Sequence, residues 1–132
     1  MRGSVSTPWG QSDDAGDAIA PGIVWYDTPS HGGFHLDEDR QAKVLEMFPH
    51  FQTFAGGPWY EEDCDWVIVV LAFPEHFGER QRATALECAK RNAQREVESL
   101  NEPRPQYRDW KPSGWCNVVE RLQTQHTEVC VS

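Results

Sequence analysis

Two short segments hold most of the residues able to do chemistry. Thr28-Pro29-Ser30-His31-Gly32-Gly33-Phe34 places an imidazole beside a glycine pair. Trp59-Tyr60-Glu61-Glu62-Asp63-Cys64-Asp65-Trp66 places four carboxylates and a thiol between aromatic rings. Histidine titrates near neutrality and suits general acid–base work. A carboxylate beside aromatic surface is desolvated and must find a donor or take up a proton. His31, Asp63 and Cys64 are therefore the candidate catalytic residues, in the manner of a hydrolase. Cys64 is the weakest of the three, because its neighbouring carboxylates oppose the thiolate. Bland roles compete with each: a turn-fixing histidine, a structurally paired carboxylate and a small buried thiol. Ser30 lacks the preceding glycine of a nucleophile elbow.

These groups need elements to position them. Ile23-Val24-Trp25-Tyr26 is β-branched and aromatic and reads as a strand. Gly32-Gly33 is a two-residue hairpin signal, with Phe34-His35-Leu36 as the returning strand. Strand alternation around that turn sends His31 and His35 to opposite faces, so they share no metal. Asp37 caps a helix over residues 38–48, with Glu38 and Asp39 at its positive end and Pro49 beyond it.

Periodicity leaves residues 58–73 open between strand, which Val67-Ile68-Val69-Val70 suits, and helix; the terminal signals read as a second, buried helix. Pro58 stands at a first helical position, Glu61 and Glu62 fall in the first turn, and Pro74 follows the last apolar residue. Helical spacing sets Asp63 against Trp59, Trp66, Val67 and Val70. It turns Glu61, Glu62, Asp65 and Tyr60 outward. A third helix over 79–99 carries an apolar stripe of Leu86, Ala89, Ala93, Val97 and Leu100. Residues 101–113 read as a proline-rich loop anchored by Tyr107 and Trp110. Ser113 then caps a short helix bearing Trp115, Val118, Val119 and Leu122. Val129-Cys130-Val131 reads as a last strand.

Residues 1–21, rich in Gly, Ser, Asp and Pro, read as an extended N-terminal arm. Residues 22–132 follow as a single compact α+β domain, its β-hairpin packed on three or four helices. A chain of 132 residues has room for one core. Its longest apolar run, Trp66 to Phe73, is far short of the roughly 20 residues that span a bilayer. No signal-peptide pattern opens the chain, so a cytoplasmic location is expected, with no membrane partner. Cys64, Cys88, Cys116 and Cys130 form no CxxC pair and are expected as reduced thiols. No cofactor motif and no metal-ligand spacing is present, so neither is expected.

Charge points to a partner class. The net charge is −9. Residues 1–75 hold 3 basic and 13 acidic side chains, a sum of −10; residues 76–132 hold 9 basic and 8 acidic, a sum of +1. Phosphate contacts need a basic patch, so direct nucleic-acid binding is disfavoured. A basic protein surface is the fitting partner, including one that normally holds nucleic acid. Glu61, Glu62, Asp65, Tyr60, Asp37, Glu38 and Asp39 are the expected binding residues. Solubility alone is the competing reason for such acidity.

Thr7-Pro8-Trp9-Gly10, Ala20-Pro21-Gly22-Ile23, Thr28 to Gly33, Trp59 to Trp66 and Leu71-Ala72-Phe73-Pro74 together resemble an uncharacterised domain-of-unknown-function family of bacteria, phages and plasmids. The resemblance covers roughly residues 7–77 and brings no assigned catalytic residue. It implies a small protein of phage or mobile-element type that acts against host defence, such as an anti-CRISPR or anti-restriction inhibitor. A hydrolase built on His31 and Asp63, and an accessory module with no competitive role, are the alternatives.

Overall fold

The computed structural model describes residues 4–49, 51–53, 56–101 and 114–131. Ser113, Tyr107 and Trp110, expected as a cap and as loop anchors, lie outside them. The fold is α+β. Strands β1 (Ser6–Thr7) and β2 (Gly10–Gln11) form a small hairpin. Strands β3 (Asp17–Ala20), β4 (Ile23–Asp27), β5 (Gly32–Leu36) and β6 (Trp59–Glu61) form an antiparallel sheet in the order β3-β4-β5-β6. Helices α1 (Glu38–Met47), α2 (Trp66–Ala72), α3 (Glu79–Asn101) and α4 (Trp115–Val131) complete it, with a 3-10 turn at Pro74–His76.

Several expectations change. Residues 17–20, read as part of an extended arm, are the edge strand β3, paired through Ala18↔Val24 and Ala20↔Ile23. The Pro21-Gly22 step makes this possible. Proline fixes one turn position and Gly22 takes φ +85°, which a side chain resists. A Cβ at Gly22 would also stand 2.4 Å from the Asp37 carboxylate. That carboxylate caps α1 as expected, accepting from the Arg40 N–H at 2.8 Å. The Val129–Val131 segment continues α4 and is not a strand.

The inner face of the sheet carries Ile23, Phe34, Leu36 and Tyr60, none more than 6% exposed. Against it lies α2, whose Val67, Ile68, Val69 and Val70 are all within 1% of full burial. A helix apolar on every side belongs inside, and α2 sits among α1, α3, β5 and β6. Helix α3 packs on α2 and α4 through Ala85, Ala89 and Ala93, small residues that let the backbones approach. The expected stripe is thus only partly correct. Leu86 and Val97 are 36% and 42% exposed, because the contact face runs through position 85 rather than 86.

Helix α4 is tied in at both ends of the charge scale. Glu96, on α3 and buried, accepts from the backbone N–H groups of Gly114 (3.1 Å), Trp115 (3.0 Å) and Cys116 (3.2 Å). A carboxylate there meets both the unsatisfied donors and the positive end of α4. Farther along, Arg121 donates to the Met47 carbonyl at 2.9 Å and the Glu46 carbonyl at 3.3 Å, the open end of α1. Removing the Glu96 carboxylate strands three donors. Glu96→Ala should lower unfolding free energy by about 3 kcal/mol, and Glu96→Gln by about half that. The exposed Glu98→Ala should stay within about 0.5 kcal/mol. Urea unfolding of the three variants measures the difference.

Candidate functional site

The Thr28–Phe34 segment is built by a threonine. Thr28 Oγ1 accepts from the His31 N–H at 3.0 Å and donates to the His31 carbonyl at 2.6 Å. The Thr28 N–H reaches the same carbonyl at 2.8 Å. The turn is therefore residues 28–31, not Gly32-Gly33, which belong to β5. Those glycines serve close approach. A Cβ at Gly33 would stand 2.4 Å from Trp9 and 2.5 Å from the Tyr60 carbonyl. His31 stays at the loop tip, half exposed, with Nδ1 3.5 Å from Glu62 Oε1.

The second segment is strand and turn, not the start of a helix. Residues 59–61 pair with β5 through His35↔Trp59, Phe34↔Tyr60 and Gly33↔Glu61, and α2 begins only at Trp66. Trp59 and Tyr60 suit a strand, and β5 would otherwise be an open edge. The change of period from 3.6 to 2 reverses the expected facing. Tyr60, expected outside, is 1% exposed, and its hydroxyl donates to Gln41 Oε1 at 2.5 Å. Burial pushes this phenol well above its usual range. Glu61 and Asp65, expected outside, are 8% and 2% exposed. Asp63, expected inside the apolar stripe, is exposed, as is Glu62.

The buried Glu61 has a structural task. Its carboxylate accepts from the N–H groups of Cys64 (2.6 Å), Asp63 (3.1 Å) and Asp65 (3.4 Å). It closes the turn that leads β6 into α2. Cys64 beside it is half-buried, with Asn92 Nδ2 donating to its sulfur at 3.7 Å. Burial, then Asp65 and Glu61, raise the Cys64 thiol above its usual range, against a smaller opposing pull from Arg95. That disfavours the thiolate a nucleophile needs.

The two segments meet, but not through the His31 and Asp63 pair expected of a hydrolase. Glu62, not Asp63, meets His31, and the Glu62 N–H donates to the Gly32 carbonyl at 2.8 Å. His31 and His35 stay apart in role: His35 lies in β5 against the Trp59 ring, centroids 4.5 Å apart. Among the described residues, no group of three His, Cys, Asp or Glu is placed to hold a metal ion.

A feature that sequence reading missed lies on the outer face of the sheet. The register places Val24, His35 and Trp59 in one cross-strand row and Tyr26 and Gly33 in the next. Trp9, from the turn between β1 and β2, lies over Gly33 and meets Trp59 edge to face at 5.8 Å. Tyr26 meets Trp59 at 5.8 Å. All four rings are half-buried. The signal for this row is Tyr26, His35 and Trp59 on one strand parity, legible only once Trp59 is known to be in a strand.

Carboxylates gather at the end of the sheet where the 28–31 turn sits. The Asp13 N–H donates to the Asp27 carbonyl at 2.8 Å, Asp27 pairs with Gly32, and Gly32 holds Glu62. Asp13, Asp14, Asp27, Glu62 and Asp63 are all exposed there. Asp37, Glu38 and Asp39, also exposed, follow the opposite end of β5. Of the 13 acids before residue 76, only Glu61 and Asp65 are buried.

Burial lowers the His35 pKa below its ordinary 6.5, against a smaller upward pull from Asp37. The unfolded chain therefore binds this proton more readily than the folded one. The stabilisation from neutral His35 is complete above pH 6.5 and is lost as pH falls toward the lowered folded value. His35→Gln should flatten that acid limb. Urea midpoints for both proteins between pH 7.5 and about 5 test this.

The family model described as "Domain of unknown function (DUF7007)" matches residues 2–130. No curated protein and no solved structure matches the chain. With nearly its whole length matched by that one model, the chain belongs to the DUF7007 family.

Proposed function

We propose that this chain is a small acidic binding protein that works in the cytoplasm by covering a basic protein surface. The surface is of the kind that normally holds nucleic acid, and the role is that of a phage or mobile-element inhibitor of a CRISPR or restriction complex. One observation carries the reading: five exposed carboxylates, Asp13, Asp14, Asp27, Glu62 and Asp63, converge at one end of the sheet. Backbone bonds join the segments that carry Asp13, Asp27 and Glu62, which holds their charges near one another. Like charges held together raise the local field, steer a basic partner in and repel an acidic one. Neither Lys nor Arg lies within ion-pair distance of these five among the described residues.

The binding set differs from the one expected. Of the expected set, Glu62, Asp37, Glu38 and Asp39 are exposed and available as contacts, and the exposed Asp63 joins them. Glu61, Asp65 and Tyr60 are not available, because they are buried. The hydrolase reading gains little support: His31 meets Glu62, Asp63 faces solvent, and the Cys64 thiol is held protonated.

The test neutralises three acids without changing their shape: Asp27→Asn, Glu62→Gln and Asp63→Asn together. All three are exposed, so urea unfolding should shift by no more than about 1 kcal/mol. Immobilised wild-type protein should retain nucleic-acid-binding proteins from host extract at low salt. Added duplex DNA should compete, and rising salt should release them, because exposed charges are screened beyond about 10 Å at 0.1 M. The triple variant should retain about a tenth or less. Equal retention by the variant, or capture indifferent to salt and DNA, overturns the proposal and favours an accessory module.

A further inference from the structure

The outer face of the sheet has a specific chemistry of its own. The helices occupy the inner face, where Ile23, Phe34, Leu36 and Tyr60 are buried. On the outer face Trp9 lies over Gly33, and Gly16, in the segment leading into β3, lies against Tyr26 and Val24. Trp59 is the centre of this face, touched by Trp9, Tyr26 and His35. Ring contacts at 53° and 88° leave the planes splayed, not stacked flat. All four rings are half-buried, so part of each still reaches solvent.

Two kinds of occupant suit splayed rings: a nucleobase, which stacks, and a cationic side chain, which sits over a π-face. The surrounding charge decides between them. At the Gly32 end of the row stand Glu62 and, through the Asp27 carbonyl, Asp13. At the other end stands Asp37, close enough to His35 to act on its proton. A nucleotide would bring its phosphates between two groups of carboxylates, a repulsive arrangement. A guanidinium would find the negative faces of the rings and carboxylates at both ends.

We infer that the outer face of the sheet, centred on Trp59 and Tyr26 and flanked by Glu62 and Asp37, is a docking site for an arginine-bearing segment of a basic protein. The inference rests on the reading above and deepens it by naming the side chain recognised. Arginine is favoured over lysine because its flat guanidinium lies on a ring while its edge pairs with a carboxylate. Exposed acids alone do not make that distinction.

The experiment needs no host partner. Full-length protein is titrated at low salt with an eight-residue oligo-arginine peptide, an oligo-lysine peptide of the same length and an oligothymidylate of eight nucleotides. The arginine peptide should bind about fivefold or more tightly than the lysine peptide. Trp59→Leu should reduce that preference to less than about twofold while leaving lysine-peptide binding unchanged. Should Trp59→Leu fail to fold, Tyr26→Leu replaces it. In the wild type, the indole N–H of Trp59 should be among the NMR signals most shifted by the arginine peptide. Equal binding of the two peptides, shifts confined to the acidic turns, or tighter binding of the oligothymidylate overturns the inference. Loss of the arginine preference with acid-dependent capture intact would remove this site alone. Its persistence without such capture would remove the inhibitor reading alone.

Discussion

The structure depends on the three hydrogen bonds that the Glu61 carboxylate accepts from residues 63–65. They sit where a strand of period 2 must become a helix of period 3.6 within four residues. The turn they close leads straight into α2, the buried helix at the centre of the core. A buried carboxylate is costly unless each lone pair has a donor, and here the donors are the same backbone groups that need an acceptor. Glu96 repeats the device at the start of α4. Glu61 thus holds the turn before α2 and Glu96 the first residues of α4, and each acid, supplied by another element, fixes a joint in the chain.

Fixing the Glu61 joint has consequences on the other side of the sheet. Once Trp59 to Glu61 are held as β6, the Trp59 ring lies on the outer face beside His35. Gly33, opposite Glu61, leaves room for the Trp9 ring. The N-terminal hairpin is therefore fastened to the domain by one aromatic residue in one glycine gap, supported by Ser30 Oγ donating to the Trp9 carbonyl at 3.3 Å. The Thr28-Pro29-Ser30-His31 turn serves the same joint, since its last residue meets Glu62. The density of turn residues and titratable groups in the two segments reflects this fastening.

Much of this was legible in the sequence, and the failures share a cause. Helix α1 showed itself through Asp37 and Pro49, helix α3 through its small apolar residues, and the β4–β5 pair through its β-branched and aromatic run. The region from Pro58 to Asp65 did not, because its local signals fit both a helix start and a strand. Proline followed by acids marks a helical first turn, whereas Trp59-Tyr60 suits a strand. The deciding term was the unpaired edge of β5, a partner distant in sequence. With the period wrong, most facings drawn from it were wrong too: Tyr60, Glu61 and Asp65 went inside and Asp63 came out, while Glu62 stayed outside as expected. The β3 strand was hidden for a similar reason. Asp17-Ala18-Ile19-Ala20 has little strand propensity and is recruited by the Pro21-Gly22 turn.

The same joint sorts the acids of this segment into two kinds that composition cannot separate. Glu61 and Asp65 are buried, while Glu62 and Asp63, between them, face water. The Glu61 charge is committed to the chain's own backbone, and neither buried acid is open to a partner. A charge on the turn is held by that joint yet meets little of the chain's own positive charge. The turn's geometry is thus set by a carboxylate, Glu61, that a partner cannot reach. Its field is set by the carboxylates that a partner can reach. The acidity of this half of the chain therefore does two separate physical jobs, and the rigidity of the first makes the pattern of the second reproducible.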